Sequence, residues 1–378
     1  MDFNLTREQE LIRKMMQSFV ENEVKPIAAE IDRTHEYPAE NVAKLFQLGV
    51  MGMTVPKEYG GAGADQLSAA ICTEEIAKAC ASTSDIVAGH TLCCVPILEH
   101  GTEAQKQKYL PMLTTGGVLG GMGITEPNAG SDASKSQTEA KLEGDHYVIN
   151  GSKIFITNGP EAGVFVIFAM TDKSKGTKGL SAFIIENTFP GFSVGKMENK
   201  MGLHGVHTAE IVFQDMIVPK ENLLGKEGGG FKICMQTLDV GRIGIAAQAL
   251  GIAEGAMEEA IAYTKGRIQF GKPISKFQNT QFTFADMKLR CESARLLTYQ
   301  AATIKEAGKR CSLEAAMAKL SASETAMWVT TKALQMFGGY GYTNDYPMER
   351  MMRDAKITEI YEGTSEIQRI VISSNMGL

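Results

Sequence analysis

The hydrophobic pattern of this chain changes its period twice, and these two changes constrain the fold more than any other feature. Residues 1–117 carry apolar side chains at helical spacing, with capping signals at Thr6 and Thr102. Residues 118–225 contain short β-rich runs between Gly, Asn and Asp turns. Long helical patterns return over residues 226–378. We therefore predict an α+β multidomain protein with an N-terminal α-helical domain, a β-barrel-like middle domain and a C-terminal four-helix bundle.

Charge and composition exclude several classes of partner. The formal net charge is -6 and the sequence has no basic stripe, so we expect neither nucleic acid nor a membrane as a partner. The longest apolar run, Val164 to Met170, is too short to span a bilayer, and the first ten residues differ from a signal or transit peptide. We expect a cytoplasmic protein. Seven cysteines without a CxxC motif predict reduced, buried thiols.

Three motifs resemble known sites and lack the context that those sites need. Gly191 to Gly195 has the spacing of a hydrolase nucleophile elbow, but no histidine follows His207 and the segment continues as a strand. A di-metal bundle needs Glu-x-x-His on its helices. Because no histidine follows His207, the predicted bundle has none, and we predict no metal site. The glycines at 338–341 lack the βαβ pattern of a dinucleotide-binding fold.

The segment from Asp354 to Arg369 places one carboxylate, Glu362, at a helix junction. Gly363 is a typical end of a helix and Thr364 a typical start, so Glu362 is predicted to lie in the irregular turn between two helices. A single glutamate is usually an ordinary surface residue. Burial beside Tyr361 would instead raise the pKa of Glu362, as a general base requires.

The segment from Ile124 to Asp132 combines hydroxyls, backbone amides and two acids in one non-helical stretch. Such a surface can bind a polar heterocycle or a phosphate. It can equally be a turn that its own Asx hydrogen bonds stabilise. Both interpretations stay open at this point.

Six motifs in order resemble the acyl-CoA dehydrogenase family over essentially the whole chain. They are ITEPNAGSD at 124–132, NGSKIFITN at 150–158, LDVGRIGIAAQALG at 238–251, RIQFGKPISKFQ at 267–278, QMFGGYGY at 335–342 and IYEGTSEIQ at 360–368. The short-chain, butyryl-CoA type is the most similar. The resemblance implies FAD held between the β domain and the bundle, completed by a neighbouring subunit in a homotetramer.

The same resemblance implies a role for individual residues. Glu362 would remove the α-proton of the acyl thioester while the β-hydride passes to flavin N5. The residues implied to bind FAD are Met122, Thr125, Ser131, Phe155, Thr157, Arg267, Gln278, Gln335, Gly338, Gly339, Thr364 and Glu366. Those implied to line the CoA substrate are Ser131, Asp239, Arg242 and Gly363. Phe155 is a departure, because the family often has Trp at this position.

Two absences refine this expectation. Some family members carry the base just before the residue equivalent to Arg242, but this chain has Gly241 there, which leaves Glu362 as the candidate base. Residues 79–98, expected near the substrate tail, contain no Lys or Arg. A dicarboxylic substrate is therefore disfavoured, because its second carboxylate would be buried without a partner.

We expect FAD-dependent α,β-dehydrogenation of a short-chain acyl-CoA to the trans-2-enoyl-CoA, or the reverse reduction. The resemblance implies an electron-transfer flavoprotein as the electron partner. Two alternatives remain open. One is an acyl-CoA oxidase, although the chain is short for an additional C-terminal domain. The other is a non-catalytic oligomeric helical scaffold that has retained the fold.

Overall fold

The computed structural model describes residues 4–378; Met1 to Phe3, with which the predicted first domain begins, lie outside the described part. Six helices come first: α1 Arg7–Phe19, α2 Ala28–Thr34, α3 Ala39–Gln47, α4 Gln66–Ala79, α5 Ala81–His100 and α6 Glu103–Thr114. The predicted capping boxes of α1 and α6 are both present, since Thr6 and Thr102 each exchange hydrogen bonds with the residue three positions later. Local sequence signals therefore set the starts of these helices.

Helix α5 lies at the centre of the molecule. Its residues are mostly buried, and it packs against the sheet, against α4 and α6, and against the C-terminal bundle. By length and composition alone α5 is long and apolar enough to cross a membrane, but 78% of its most apolar window is buried inside the protein. Buried core helices commonly have this character. All seven cysteines are buried, as predicted, two of them in α5.

The middle block forms one eight-stranded sheet. Its strands are β1 Leu119–Gly123, β2 Glu139–Glu143, β3 His146–Thr157, β4 Ala162–Met170, β5 Leu180–Glu186, β6 Phe192–Met197, β7 Thr208–Pro219 and β8 Leu223–Leu224. The order is β6-β7-β3-β2-β4-β5-β8, and β1 pairs in parallel with β4. The segment with nucleophile-elbow spacing lies at the start of β6, and a strand follows it rather than a helix. That segment therefore lacks the strand-turn-helix geometry of a hydrolase.

The C-terminal block is the predicted helical bundle. Helices α7 Gly230–Gly266, α8 Gln278–Glu306 and α9 Ser312–Phe337 are long and pack on one another, with a hairpin of β9 Ile268–Gln269 and β10 Lys272–Pro273 after α7. Two shorter helices, α10 Met348–Ile357 and α11 Ser365–Asn375, complete it. The fold class is confirmed. The exact domain boundaries, at 117/118 and 225/226, stay a prediction.

Two glycines of α7 allow the N-terminal domain to pack closely on the bundle. A β-carbon at Gly251 would overlap the backbone carbonyl of Glu74, and one at Gly255 would overlap that of Lys78, both on α4. Only glycine permits this backbone approach. The contact fixes α4 and α5 against α7, and so brings the α5 surface next to the segment that carries Glu362.

Candidate active site

The segment that carries Glu362 is an irregular turn between α10 and α11, which we call the Glu362 turn (residues 358–364). Glu362 and Gly363 both have left-handed backbone angles, with φ of 51° and 98°. Such a conformation is strained for glutamate and persists only where neighbouring contacts hold it. Thr364 caps α11 by accepting a hydrogen bond from the Ile367 amide at 3.3 Å. The predicted placement of Glu362 is thus confirmed.

The carboxylate of Glu362 points between α5 and α7. A β-carbon at Gly241 would overlap Glu362 Oε2 and would lie 2.9 Å from Leu92 Cδ2, so the glycine leaves space for the carboxylate. Glu362 Oε2 is buried and has no hydrogen-bond partner within the described residues. A buried oxygen without a partner is unusual in a folded protein and often marks a functional group.

Burial, together with the nearby carboxylate of Asp85, raises the pKa of Glu362 to about 8 against the opposing effects of Arg242 and Lys319. The direction agrees with the prediction from the sequence. A carboxyl group with a pKa in this range can hold a proton and release it near neutral pH, as a general base requires. Perturbed pKa values of this kind are enriched at functional sites.

A chain of polar contacts leads from Arg242 to the protein surface. Arg242 donates to Asp239 Oδ1 at 2.7 Å, and Ser312 donates to Asp239 Oδ2 at 2.5 Å. Asp239 and Ser312 line an open cleft of about 500 Å³, whose cations are Lys232, Lys305, Lys309 and Arg310. Such a cluster can hold phosphate groups. The predicted substrate residues Asp239 and Arg242 therefore lie between this basic cleft and Glu362.

A small cavity also borders Gly241. Its volume is about 60 Å³ and its walls come from α4, α5, α7 and residues 50–55. None of the residues that line it is charged. A cavity of this size accommodates roughly four to six groups of the size of a water molecule or a methylene. The arrangement can therefore hold a short, uncharged aliphatic chain beside the carboxylate.

Four of the predicted cofactor residues lie together near the C-terminal ends of β1 and β3, a region that we call the sheet edge. Met122 is on β1, Phe155 and Thr157 are on β3, and the Thr125 carbonyl accepts a hydrogen bond from the Ile154 amide at 2.9 Å. The Phe155 side chain is 59% exposed and its φ is 59°. This region presents an aromatic ring and a hydroxyl on β3, Phe155 and Thr157, and a second hydroxyl, Thr125, just after β1.

Helix α5 connects this edge to Glu362. A β-carbon at Gly89 would lie 2.6 Å from Thr157 Cγ2, and Leu92 borders Gly241 and the Glu362 carboxylate. Gly89 and Leu92 are three residues apart, about 4.5 Å along the helix. The predicted residues at the sheet edge and the candidate base are therefore brought to neighbouring turns of one buried helix.

The segment from Ile124 to Asp132 has a buried part and an exposed part. The Glu126 carboxylate is buried and bonds Lys153 Nζ at 2.6 Å, the Gln137 amide at 2.5 Å and the Ser136 hydroxyl. It is therefore a structural group, and the lysine beside it lowers the pKa of Glu126 to about 2 against the effect of burial. Ser131 remains exposed and available for a ligand.

The remaining predicted cofactor residues lie far from Glu362. They are at the other end of the bundle, where α7 and α9 end and α8 begins: Arg267, Gln278, Gln335, Gly338 and Gly339. Arg267 follows Arg242 by 25 positions, which is about 37 Å along α7. All five are exposed, and the Arg267 guanidinium lies 5.8 Å from the centre of the Tyr340 ring. One chain does not bring the two sets together.

Glu366 is the last of the predicted residues. It lies in the first turn of α11 next to Thr364, and its side chain is exposed.

Three groups at this site were not identified from the sequence. Lys319 donates to the Gly363 carbonyl at 2.8 Å, Gln368 donates to the same oxygen at 2.8 Å, and Asp85 is buried near Tyr361. One sequence signal could have identified Lys319, because it is a lysine within an alanine-rich helix.

The sequence matches known protein families over nearly its whole length. Three family models match: the acyl-CoA dehydrogenase N-terminal domain over 6–117, its middle domain over 121–216 and its C-terminal domain over 228–377. A short-chain-specific acyl-CoA dehydrogenase of Clostridium acetobutylicum is 63% identical over 377 residues, covering 100% of both chains. An acryloyl-CoA reductase (NADH) of Anaerotignum propionicum is 53% identical, covering 99% of this chain and 95% of its own.

Solved structures agree with the family models. Butyryl-CoA dehydrogenase from Megasphaera elsdenii superposes with a TM-score of 0.98 at 51% identity, covering 100% of both chains. A chain in a structure of the electron transferring flavoprotein of Acidaminococcus fermentans, described in terms of flavin-based electron bifurcation, has a TM-score of 0.98 at 55% identity. It covers 100% of this chain and 99% of its own. The chain described here therefore belongs to the acyl-CoA dehydrogenase family.

Proposed function

We propose that this protein catalyses the FAD-dependent α,β-dehydrogenation of a short-chain acyl-CoA to its trans-2-enoyl-CoA, or the reverse reduction. The observation that carries the proposal is the Glu362 carboxylate, whose Oε2 is buried at Gly241 without a hydrogen-bond partner among the described residues, beside a small uncharged cavity. A carboxylate in this setting can remove an α-proton from a thioester bound with its acyl chain in the cavity. The names of the short-chain and butyryl-CoA relatives support this choice.

The residues present fit a bound FAD. Besides the sheet edge with Phe155, three buried polar atoms around the Glu362 turn have no hydrogen-bond partner within residues 4–378: Arg242 Nε, Ser365 Oγ and Gln368 Oε1. Such atoms usually have a ligand or water as a partner. Met122, Thr125, Phe155 and Thr157 would hold the ring system, with Thr364 and Glu366 close by. Bound FAD would supply the hydride acceptor for the β-hydrogen.

Residues of this chain would bind the CoA substrate and accept the abstracted proton. Phosphates of CoA would bind in the basic cleft near Asp239, and the thioester would lie between Arg242 and Glu362. The acyl chain would fill the cavity and exclude water from the reacting carbons. Glu362 would then hold the abstracted proton on its buried carboxylate. Stabilisation of the developing negative charge at the thioester carbonyl is the second requirement of this chemistry.

The cavity predicts the acyl preference. We expect butyryl-CoA to react fastest, while octanoyl-CoA and glutaryl-CoA should have kcat/KM lower by about tenfold or more, because the cavity is small and has no cation for a second carboxylate. Rates with a panel of C3 to C8 acyl-CoAs and glutaryl-CoA, measured with an artificial electron acceptor, test this. A faster reaction with glutaryl-CoA than with butyryl-CoA would show the assignment of the cavity to be wrong.

A pair of core variants sharpens that experiment. Met53→Ala removes part of the cavity wall, whereas Met16→Ala removes a buried methionine of α1 that does not line the cavity. Both should lower stability. Only Met53→Ala should move the preference towards hexanoyl-CoA, so an equal shift in both variants would contradict the assignment.

The raised pKa of Glu362 predicts a pH dependence. A base must be ionised to accept a proton, so the rate of flavin reduction by butyryl-CoA should rise with pH through the pKa of about 8 and fall below it. Stopped-flow measurements from pH 6 to 10 in the absence of an acceptor test this. A rate independent of pH over this range would argue against Glu362 as the base.

A homotetramer accounts for the distant set of residues. Arg267, Gln278, Gln335, Gly338 and Gly339 would contact the FAD of a neighbouring subunit, since they lie too far from Glu362 to serve the same site. Exposed apolar side chains near this end and along α8 support a subunit contact: Ile268, Phe270, Phe282, Leu289, Leu296, Tyr340 and Tyr342. Three of them recur at intervals of seven residues, which is a single stripe on a helix.

An electron-transfer flavoprotein is the proposed electron partner. The support is the structural likeness to the Acidaminococcus fermentans chain together with the exposed Phe155 at the sheet edge. The acryloyl-CoA reductase relative supports operation in the reducing direction as well. The cytoplasmic location stays a prediction from the sequence.

The experiment that tests the function is purification followed by reaction with butyryl-CoA. The purified protein should be yellow, should contain about one FAD per subunit, and its flavin should bleach on addition of butyryl-CoA. An absence of flavin would favour the non-catalytic scaffold. Rapid reoxidation by oxygen without an electron-transfer flavoprotein would favour the oxidase.

A further inference from the structure

Lys319 is a buried cation next to the Glu362 turn. It lies on α9, its side chain is 0% exposed, and its Nζ donates to the Gly363 carbonyl at 2.8 Å. Burial of an ammonium group costs free energy unless a partner compensates it. Lys319 is not among the site residues that the family resemblance implies, so its presence in the core needs a reason of its own.

The Gly363 carbonyl receives two hydrogen bonds. Lys319 Nζ and Gln368 Nε2 both donate to it at 2.8 Å, and Gln368 Nε2 also lies 3.2 Å from the Glu362 carbonyl. Between them, these donors hold the two consecutive residues with left-handed angles. Because that backbone is strained, the direction of the Glu362 carboxylate depends on these two bonds.

The electrostatic surroundings point to a second effect. Burial lowers the pKa of Lys319 to about 8, and Glu362 is the largest influence that opposes this. Around Glu362, the charged groups are Asp85 from α5, Arg242 from α7 and Lys319 from α9, with Tyr361 on the same segment. Around Lys319 they are Glu362, Arg242, Glu359 and Glu366. Arg242 also binds Asp239, whereas Lys319 pairs with no carboxylate at ion-pair distance among the described residues and donates to the Gly363 carbonyl.

We propose that Lys319 is a positioning residue for the dehydrogenation, which fixes the Glu362 turn through the Gly363 carbonyl and favours the ionised form of Glu362 through its charge. This inference rests on the proposed function. It assigns Lys319 no contact with the substrate or the flavin. The role separates into a hydrogen bond, which Gln368 shares, and a charge, which Gln368 lacks.

The hydrogen bond and the charge of Lys319 can be tested separately. Lys319→Met removes the hydrogen bond and the charge, whereas Gln368→Met removes a hydrogen bond to the same carbonyl without changing charge. Both variants should reduce the rate of flavin reduction by butyryl-CoA by about 10- to 100-fold, because the carboxylate is displaced. Only Lys319→Met should move the acid limb of the pH profile to higher pH, because loss of a cation disfavours the carboxylate. The KM for butyryl-CoA should stay unchanged in both.

Two further variants complete the experiment. Lys319→Arg keeps a cation and should leave the acid limb at the wild-type pH. Lys332→Met removes an exposed lysine from the same helix and should leave the rate and the profile unchanged.

A wild-type rate per bound flavin in Lys319→Met, or a reduced rate with an unmoved acid limb, would overturn the proposal. If Lys319→Met does not fold, a wild-type rate in Gln368→Met would overturn it instead. Failure of the wild-type protein to react with butyryl-CoA would refute the proposed function, whereas normal kinetics of the variants would refute this inference alone.

Discussion

Replacing Arg267 by alanine is expected to release the flavin and to weaken the contact between subunits. Arg267 is exposed at the end of α7, about 37 Å along the helix from Arg242, so it would act on the cofactor of a neighbouring subunit. An arginine holds a pyrophosphate through charge-assisted hydrogen bonds. Loss of one such bond should weaken flavin affinity by about 10- to 100-fold.

The matched control is Arg33→Ala. Arg33 is also an exposed arginine, but it pairs with Glu30 on α2, outside the proposed sites. Flavin absorbance per subunit and the mass of the particle by light scattering should change in Arg267→Ala and stay constant in the control. Full flavin occupancy in Arg267→Ala would show that this residue does not contact the cofactor.

Features that depend on neighbouring residues could be predicted from the sequence. The capping residues Thr6 and Thr102 start their helices as expected, because the hydrogen bonds that define a cap join residues three positions apart. The Glu362 turn was predicted for the same reason, since Gly363 and Thr364 are local signals for the end and the start of a helix.

Features that depend on contacts between distant segments could not be predicted. Lys319 and Gly363 are 44 residues apart, and the Lys153 that neutralises Glu126 is 27 residues away, so no local pattern announces either pair. The absence of Lys and Arg from residues 79–98 also did not predict all the charged groups that lie near this segment. Lys200, from another segment, faces the buried Asp85 and lowers its pKa, although burial still raises that pKa to about 6.

The second prediction with a large effect concerns Glu362→Gln. The amide has nearly the same shape as the carboxylate, so the fold, the flavin content and the affinity for acyl-CoA should be retained. It cannot accept the α-proton, and flavin reduction should fall by about two to four orders of magnitude. Among the described residues, the position on α7 before Arg242 is Gly241 and supplies no acid, and the Asp85 carboxylate, although near Glu362, is hydrogen-bonded to Tyr361.

Glu366→Gln is the control for this variant. Glu366 lies four residues later and is exposed, so it tests whether loss of any acid in this segment has the same effect. Its expected contact with the cofactor should change flavin affinity rather than the rate of reduction per bound flavin. Equal losses of that rate in both variants would remove the special role assigned to Glu362.

The most direct measurement is a single turnover without an electron acceptor, in which the flavin absorbance is followed after mixing with butyryl-CoA. The wild-type protein should bleach rapidly, and more slowly with butyryl-CoA deuterated at the α-carbon. Glu362→Gln, with the same flavin content and bound substrate, should bleach about 100 to 10,000 times more slowly. Bleaching of Glu362→Gln at the wild-type rate would contradict the assignment of Glu362 as the base.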